Sequence, residues 1–251
     1  FGLHAVEPLF GNLGTTLNHW RHMKKLLFCT LACAYLSSTA FATFSIGEAP
    51  DFANPGVGYY SDKLSSNGSY DWARSRGESF TLTGATDFIV ETIEWWGFSE
   101  NFVDEDIVNI AGFEINIFQL NGNSVGPLAH DFYLTKAEVN PTVVAMAGAV
   151  PIYKFTASGL QLGTTAGSYV INIGADLIDG DNNDAFTWKT AVNGSERKFF
   201  QTNTSLGWGN WAPVLDEANL AFSISGQAVP EPTTLALLAG LGAIAARRKC
   251  K

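Results

Sequence analysis

Cysteine is nearly absent from this 251-residue chain, which has only Cys29, Cys33 and Cys250. Histidine is scarcely commoner: His4, His19 and His22 stand near the start, and His130 is alone in everything that follows. A disulfide framework and a His/Cys metal cluster are therefore excluded for the body of the chain. Catalysis by a Ser or Cys nucleophile with a His base would depend on His130, in a segment that reads as a strand with no visible carboxylate partner. No phosphate loop, HExxH or GxSxG motif occurs. Basic residues are few as well. From Thr43 to Ala228 there are 8 Lys and Arg against 22 Asp and Glu, a net charge of −14. Such a surface repels nucleic acid and anionic lipid, and is compatible with divalent cations and with neutral or cationic glycans.

The two ends of the chain differ from its middle. Met23, Lys24 and Lys25 precede the apolar run Leu26 to Leu36 and then Ala40-Phe41-Ala42. That order is a secretory signal peptide, residues 23–42, with cleavage after Ala42 and a mature chain starting at Thr43. A lipoprotein reading through Cys33 fails because Thr30 stands where a Leu is wanted. Residues 1–22 read as a leader from a start called too early or from an upstream fusion. Removal of the signal takes Cys29 and Cys33 with it.

At the other end Val229, Pro230, Glu231 and Pro232 lead into the uncharged run Thr233 to Ala246, followed by Arg247, Arg248 and Lys249. The run has 14 residues, about 21 Å as a helix against a hydrocarbon core of about 30 Å, which suits transient insertion. The basic cluster places Lys249 in the cytoplasm and Pro232 at the outer face, so the body of the chain is outside. Two prolines around Glu231 hold that peptide extended and open to a protease. This order of features resembles the PEP-CTERM sorting signal, read by membrane proteases called exosortases. The resemblance covers residues 229–251 and implies a route: secretion machinery, an exosortase-like protease as partner, and a site for exopolysaccharide and biofilm. Processing would then fall to Ala40, Ala42, Pro230, Glu231, Pro232, Arg247, Arg248 and Lys249.

Between these signals, residues 43–228 are long enough for one domain. Thr43 to Arg76 is rich in Gly, Ser, Asn and Asp and reads as loops with one or two short strands. Short alternating runs bounded by turn residues follow, among them Ser79 to Thr83, Gly112 to Leu120, Ile152 to Ala157, Tyr169 to Gly174 and Asn219 to Ser225. Asp87 to Trp96 alternates most clearly, with Ile89, Glu91, Ile93 and Trp95 on one face and Phe88, Val90, Thr92, Glu94 and Trp96 on the other. No helical period occurs. The fold class is all-β: one antiparallel β-sandwich, flanked by the signal helix and the short C-terminal transmembrane helix. Phe80-Thr81-Leu82, Ile93 to Gly97, Phe113 to Ile117, Tyr153-Lys154-Phe155, Gly167-Ser168-Tyr169, Phe186-Thr187-Trp188 and Leu220-Ala221-Phe222 resemble the strands of the jelly-roll-like ectodomain common in PEP-CTERM proteins.

Three groups of residues carry candidate chemistry. Trp208-Gly209-Asn210-Trp211 lies in a Gly-rich stretch where the rings would be exposed in a loop, and Trp96 is adjacent to Trp95, so one of that pair faces outward. An exposed indole is a platform for a sugar ring, while a buried one fills space between sheets. Asp179, Asp181, Asn183 and Asp184 set oxygen atoms on a turn as Ca²⁺ requires, although an acidic solvated turn would look the same. No other cofactor is expected. Glu91 and Glu94, three apart on a strand, point to opposite faces under strict alternation, which disfavours a paired-carboxylate glycosidase. The leading expectation is a non-enzymatic surface or matrix protein that contacts exopolysaccharide; a secreted carbohydrate-active enzyme and an ice or surface adsorption protein are the alternatives.

Overall fold

The computed structural model describes residues 41–64, 74–99, 110–178, 186–192, 198–202, 211–214 and 218–230. All regular structure among them is strand: β1 (Ala42–Glu48), β2 (Gly58–Tyr60), β3 (Asp62–Leu64), β4 (Arg74–Ser99), β5 (Ile110–Asn121), β6 (Ser124–Thr135), β7 (Thr142–Ala147), β8 (Val150–Leu177), β9 (Phe186–Lys189), β10 (Lys198–Thr202), β11 (Trp211–Val214) and β12 (Phe222–Val229). The all-β class follows from the sequence pattern; the two flanking helices expected at the termini lie outside the described residues. The strands belong to the compact unit Ala42–Val229.

Two strands set the architecture. β4 is 26 residues long and β8 is 28, and they pair antiparallel from Gly77 opposite Asn172 to Gly97 opposite Tyr153. Ser79–Thr83 and Asp87–Trp96, expected as separate strands, are thus parts of one; the same holds for Ile152–Ala157 and Tyr169–Gly174. A straight strand of this length would run about 85 Å, far beyond the width of a domain of this size. The ribbon therefore bends. Its register shifts between Leu82 and Asp87, and Gly84 in that interval has φ +92°, a left-handed conformation that a side chain would strain. The Gly and Thr residues that look like a turn in the sequence are the corner of a continuous ribbon.

Each half of the ribbon recruits different neighbours. The first half of β4 and the second half of β8 pair with β10 and β5, and these carry β11 and β6 in turn. The second half of β4 and the first half of β8 pair with β12 and β7, and β12 carries β1. β9 joins the tip of β4 at Gly97–Ser99, and β3 makes a short parallel pairing with the end of β8.

The bend brings these two layers face to face. Phe113 of β5 packs on Trp95 of β4 (ring centroids 5.0 Å apart), Phe155 of β8 (4.7 Å) and Phe186 of β9 (5.3 Å). Phe80, from the other half of β4, meets Phe222 of β12 at 6.2 Å and stacks on Tyr169 at 5.5 Å. Ile93, Ile115, Ile171, Ile173 and Ile224 fill the space between and are fully buried. The sandwich is one sheet folded over on itself, with an aromatic core where its layers touch.

Phe113→Ala should lower the unfolding free energy by about 3–5 kcal/mol, as a large ring deleted from a packed interior does; urea denaturation checks this. A loss no larger than that of a surface substitution would mean that the two layers do not close on Phe113.

Candidate functional site

The outward side of the β7-β8-β4-β12-β1 layer brings together Trp96, Glu91 and Glu94. Its inward residues form apolar rows, such as Ile46, Ile224, Ile93 and Ala157 across β1, β12, β4 and β8. The alternating outward residues form polar ones. Ser45, Ser225, Thr92 and Ser158 stand side by side, and Gly47, Ser223, Glu94 and Thr156 make the next row. Beyond them, Trp96 is opposite Lys154, which is opposite Thr142 of β7. All of these are at least partly exposed.

A bulge decides which residues join this face. Thr92 pairs with Ser225 and Ser158 while Val90 pairs with Gly226 and Leu162, so Glu91 has no residue directly opposite it on either side. The extra residue breaks the period of two. Phe88 and Val90 are buried before it and Ile93 and Trp95 after it, whereas Glu91, Thr92, Glu94 and Trp96 remain partly exposed. The strict alternation expected for Asp87–Trp96 is thereby corrected. Glu91 and Glu94 lie on the same face, not on opposite ones.

Both carboxylates are engaged there. Glu91 Oε1 accepts a hydrogen bond from Gln227 Nε2 at 2.7 Å. Glu94 Oε1 pairs with Lys154 Nζ at 2.6 Å and accepts a longer bond from the Thr156 hydroxyl at 3.5 Å. With Lys154 about a third exposed, this ion pair fixes two side chains beside Trp96 and contributes little net stability.

The other predicted platform is placed differently. Trp211 does not sit in an open loop; it opens β11 opposite Gln201 of β10. Its ring lies 5.6 Å from that of Phe118, and it comes within 3.3 Å of where a Cβ on Gly77 would stand. Trp211 is half-buried against the outer side of the other layer, because Gly77 leaves room for the indole to settle. Trp208 lies outside the described residues, as do Asp179, Asp181, Asn183 and Asp184. Among the described residues no group of three or more His, Cys, Asp or Glu could hold a metal ion.

A buried lysine is a feature that sequence reasoning missed. Lys189 has no exposed surface, and its ammonium donates to Asn54 O at 2.9 Å, Val57 O at 2.7 Å and Thr190 Oγ1 at 2.9 Å. It thus fills its three donor positions by closing the loop at residues 51–57. Within that loop Asp51 accepts from Asn54 Nδ2 at 2.7 Å and from the amides of Ala53 and Asn54. These bonds, led by that from Asn54, hold the Asp51 carboxyl below its ordinary value. Burial holds the Lys189 ammonium below its ordinary value, against the opposing pull of Asp51. Nothing in the sequence distinguishes this lysine, since its partners are mostly backbone carbonyls more than a hundred residues away.

The sorting junction is attached directly to the same layer. Ala42 is the first residue of β1 and pairs with Ala228, the next-to-last residue of β12. Val229 still pairs with Asp87, and Pro230 follows at once. Both ends of the domain therefore leave from one end of this layer, with no spacer before the proline motif. Trp96 stands nine residues along β4 from Asp87, roughly 25–30 Å away. Ala40, Glu231, Pro232, Arg247, Arg248 and Lys249 lie outside the described residues.

Lys189→Met should cost about 1–3 kcal/mol at neutral pH, because the three bonds from its ammonium to Asn54 O, Val57 O and Thr190 Oγ1, which tie the loop at residues 51–57 to β9, are lost. The sign of the pH dependence follows from the lowered value. As pH rises toward 10.5, the ordinary lysine value, the folded chain releases this proton before the unfolded chain does, so stability contributed by Lys189 increases over that window. Urea midpoints of both proteins at about pH 8 and about pH 10 check it, the expected result being a gap that widens at the higher pH.

Residues 228–249 match the PEP-CTERM protein-sorting motif. No curated protein and no solved structure matches the chain. The matched segment starts on the last two residues of β12 and runs through the proline pair, the apolar run and the basic cluster. The chain is an all-β domain with a PEP-CTERM tail, the signal of an exported protein anchored through its C-terminal region and processed by an exosortase.

Proposed function

We propose that this protein is a non-enzymatic component of the cell surface or extracellular matrix, delivered by its tail and contacting exopolysaccharide in biofilm. One observation carries the reading: the sorting motif begins on Ala228, within β12, so the folded domain is itself the cargo presented at the point of processing. Within the domain, Trp96 stands at the end of this layer away from Ala42 and Val229. The composition suits this role. An acidic surface keeps the domain soluble outside the cell, and the absence of cysteine from residues 43–228 frees its folding from oxidation.

A carbohydrate-active enzyme is the second reading, and the placement of Glu91 and Glu94 on one face favours it. Glycoside hydrolysis needs one carboxyl that gives a proton and a second that acts as base or nucleophile. Here Glu94 is neutralised by Lys154 and Glu91 is bound by Gln227, an arrangement that supports fixed contact more than proton transfer. Calcium bound at Asp179, Asp181, Asn183 and Asp184 would add rigidity to either protein.

The routing is tested in the source cells. Wild-type protein should reach the surface with Thr43 at its N-terminus and without its basic end, as read by intact mass. Replacing Arg247, Arg248 and Lys249 with neutral residues should leave it in the inner membrane, unprocessed. Unchanged delivery of that variant would overturn the sorting account, and release of reducing ends from exopolysaccharide by the wild type would favour the enzyme.

A further inference from the structure

We propose that the outer face of β1, β12, β4, β8 and β7 is a binding site for an uncharged polysaccharide, laid across the strands with one sugar ring stacked on Trp96. The inference rests on the reading above that the exported chain meets polysaccharide, and adds the site and the class of polymer.

The register makes the site. Four strands bring Ser45, Ser225, Thr92 and Ser158 into one row, and Ser223, Glu94 and Thr156 into the next. Neighbouring strands lie about 4.8 Å apart, so a row of four spans about 14 Å, enough for several polar contacts along one polymer chain. A hydroxyl side chain both donates and accepts, as a sugar hydroxyl does, so each can answer the other in either sense. Apart from Glu94, the side chains of both rows are short, and Gly47 adds none. A flat chain can therefore approach the sheet closely along both rows.

Trp96 supplies what hydroxyls cannot. It is the one aromatic residue among these outward rows, at their end, with Lys154 across from it and Thr142 beyond. An indole on a strand presents a large apolar surface with few rotatable bonds, which keeps the entropy cost of contact low. Its strand neighbours Trp95 and Gly97 are buried, so the backbone that carries it is held in the core.

Charge selects the polymer. Among the described residues the face has three carboxylates, Asp87, Glu91 and Glu94, and a single ammonium, Lys154, already bound to Glu94 at 2.6 Å. A uronate, sulfate or phosphate group would meet no available cation here, and the net charge of −14 over residues 43–228 would oppose its approach. A neutral polymer pays no such penalty.

The test is affinity electrophoresis of the full chain, purified in detergent, through gels containing dextran, mannan or glucomannan, with alginate as the anionic probe. At least one uncharged polymer should retard the wild type with little dependence on salt, and alginate should not. Trp96→Ala should weaken retardation by at least about tenfold, equivalent to about 1.4 kcal/mol, with Trp96→Tyr restoring most of it. Ser225→Arg, a substitution on the outer row away from the core, should weaken it without altering the urea midpoint. Retardation by alginate alone, retardation unchanged in both Trp96→Ala and Ser225→Arg, or no retardation by any uncharged polymer would each overturn the proposal. Because the assay uses purified protein, a failure here leaves delivery by the tail standing, while misrouting in cells leaves the binding result standing.

Discussion

The pairing of β4 with β8 is the constraint on which the rest of this structure depends. Two strands of 26 and 28 residues hydrogen-bonded along most of their length cannot stay straight inside a domain of this size. Once they bend near Gly84, the half bearing Phe80 is folded over the half bearing Trp95, and an apolar interior forms between them. The other strands add to one half of the ribbon or the other. Phe113, on the layer opposite Trp95 and Phe155, then seals the interior with ring contacts of 5.0 and 4.7 Å. The core depends on contacts between residues far apart in sequence, as in most β-sandwiches, so loop closure precedes most of its stabilisation.

The same ribbon places the outer face. Because β12 inserts between β1 and β4, a segment from the end of the domain and one from its beginning stand beside residues from the middle. The hydroxyl rows exist only in that arrangement. The bulge at Glu91 then moves one carboxylate from the expected inward side to the outward side, and Gln227 takes it up. Chain economy at the β12 end is equally consequential: the last paired residue, Val229, is followed immediately by Pro230, so the sheet ends where a proline would anyway interrupt it.

Much of this was legible in the chain. Alternation marked Ser79–Thr83 and Gly112–Leu120 as strands, and the tail was readable from Pro230 to Lys249 because its features are contiguous. Besides the buried Lys189, three things were not. Continuity of β4 through Gly84 was hidden, since Gly and Thr read as a turn whether the chain reverses or merely bends. The bulge at Glu91 was hidden because a period of two carries no sign of an inserted residue until its partners are known. The platform at Trp211 looked exposed because glycine and asparagine precede it, whereas its partner Phe118 lies far back in sequence. The serine and threonine rows were visible as fragments, Ser223-Ile224-Ser225 and Thr156-Ala157-Ser158, but only pairing across more than sixty residues turns such fragments into a surface.

The measurement that tests the central claim most directly is hydroxyl-radical footprinting of the full chain, with and without the uncharged polysaccharide that retards it. Protection concentrated on Trp96, with Lys154 and Thr142 beside it, is the predicted result. Protection at Trp211 with Trp96 unchanged would contradict it, and would move the contact surface to the opposite layer.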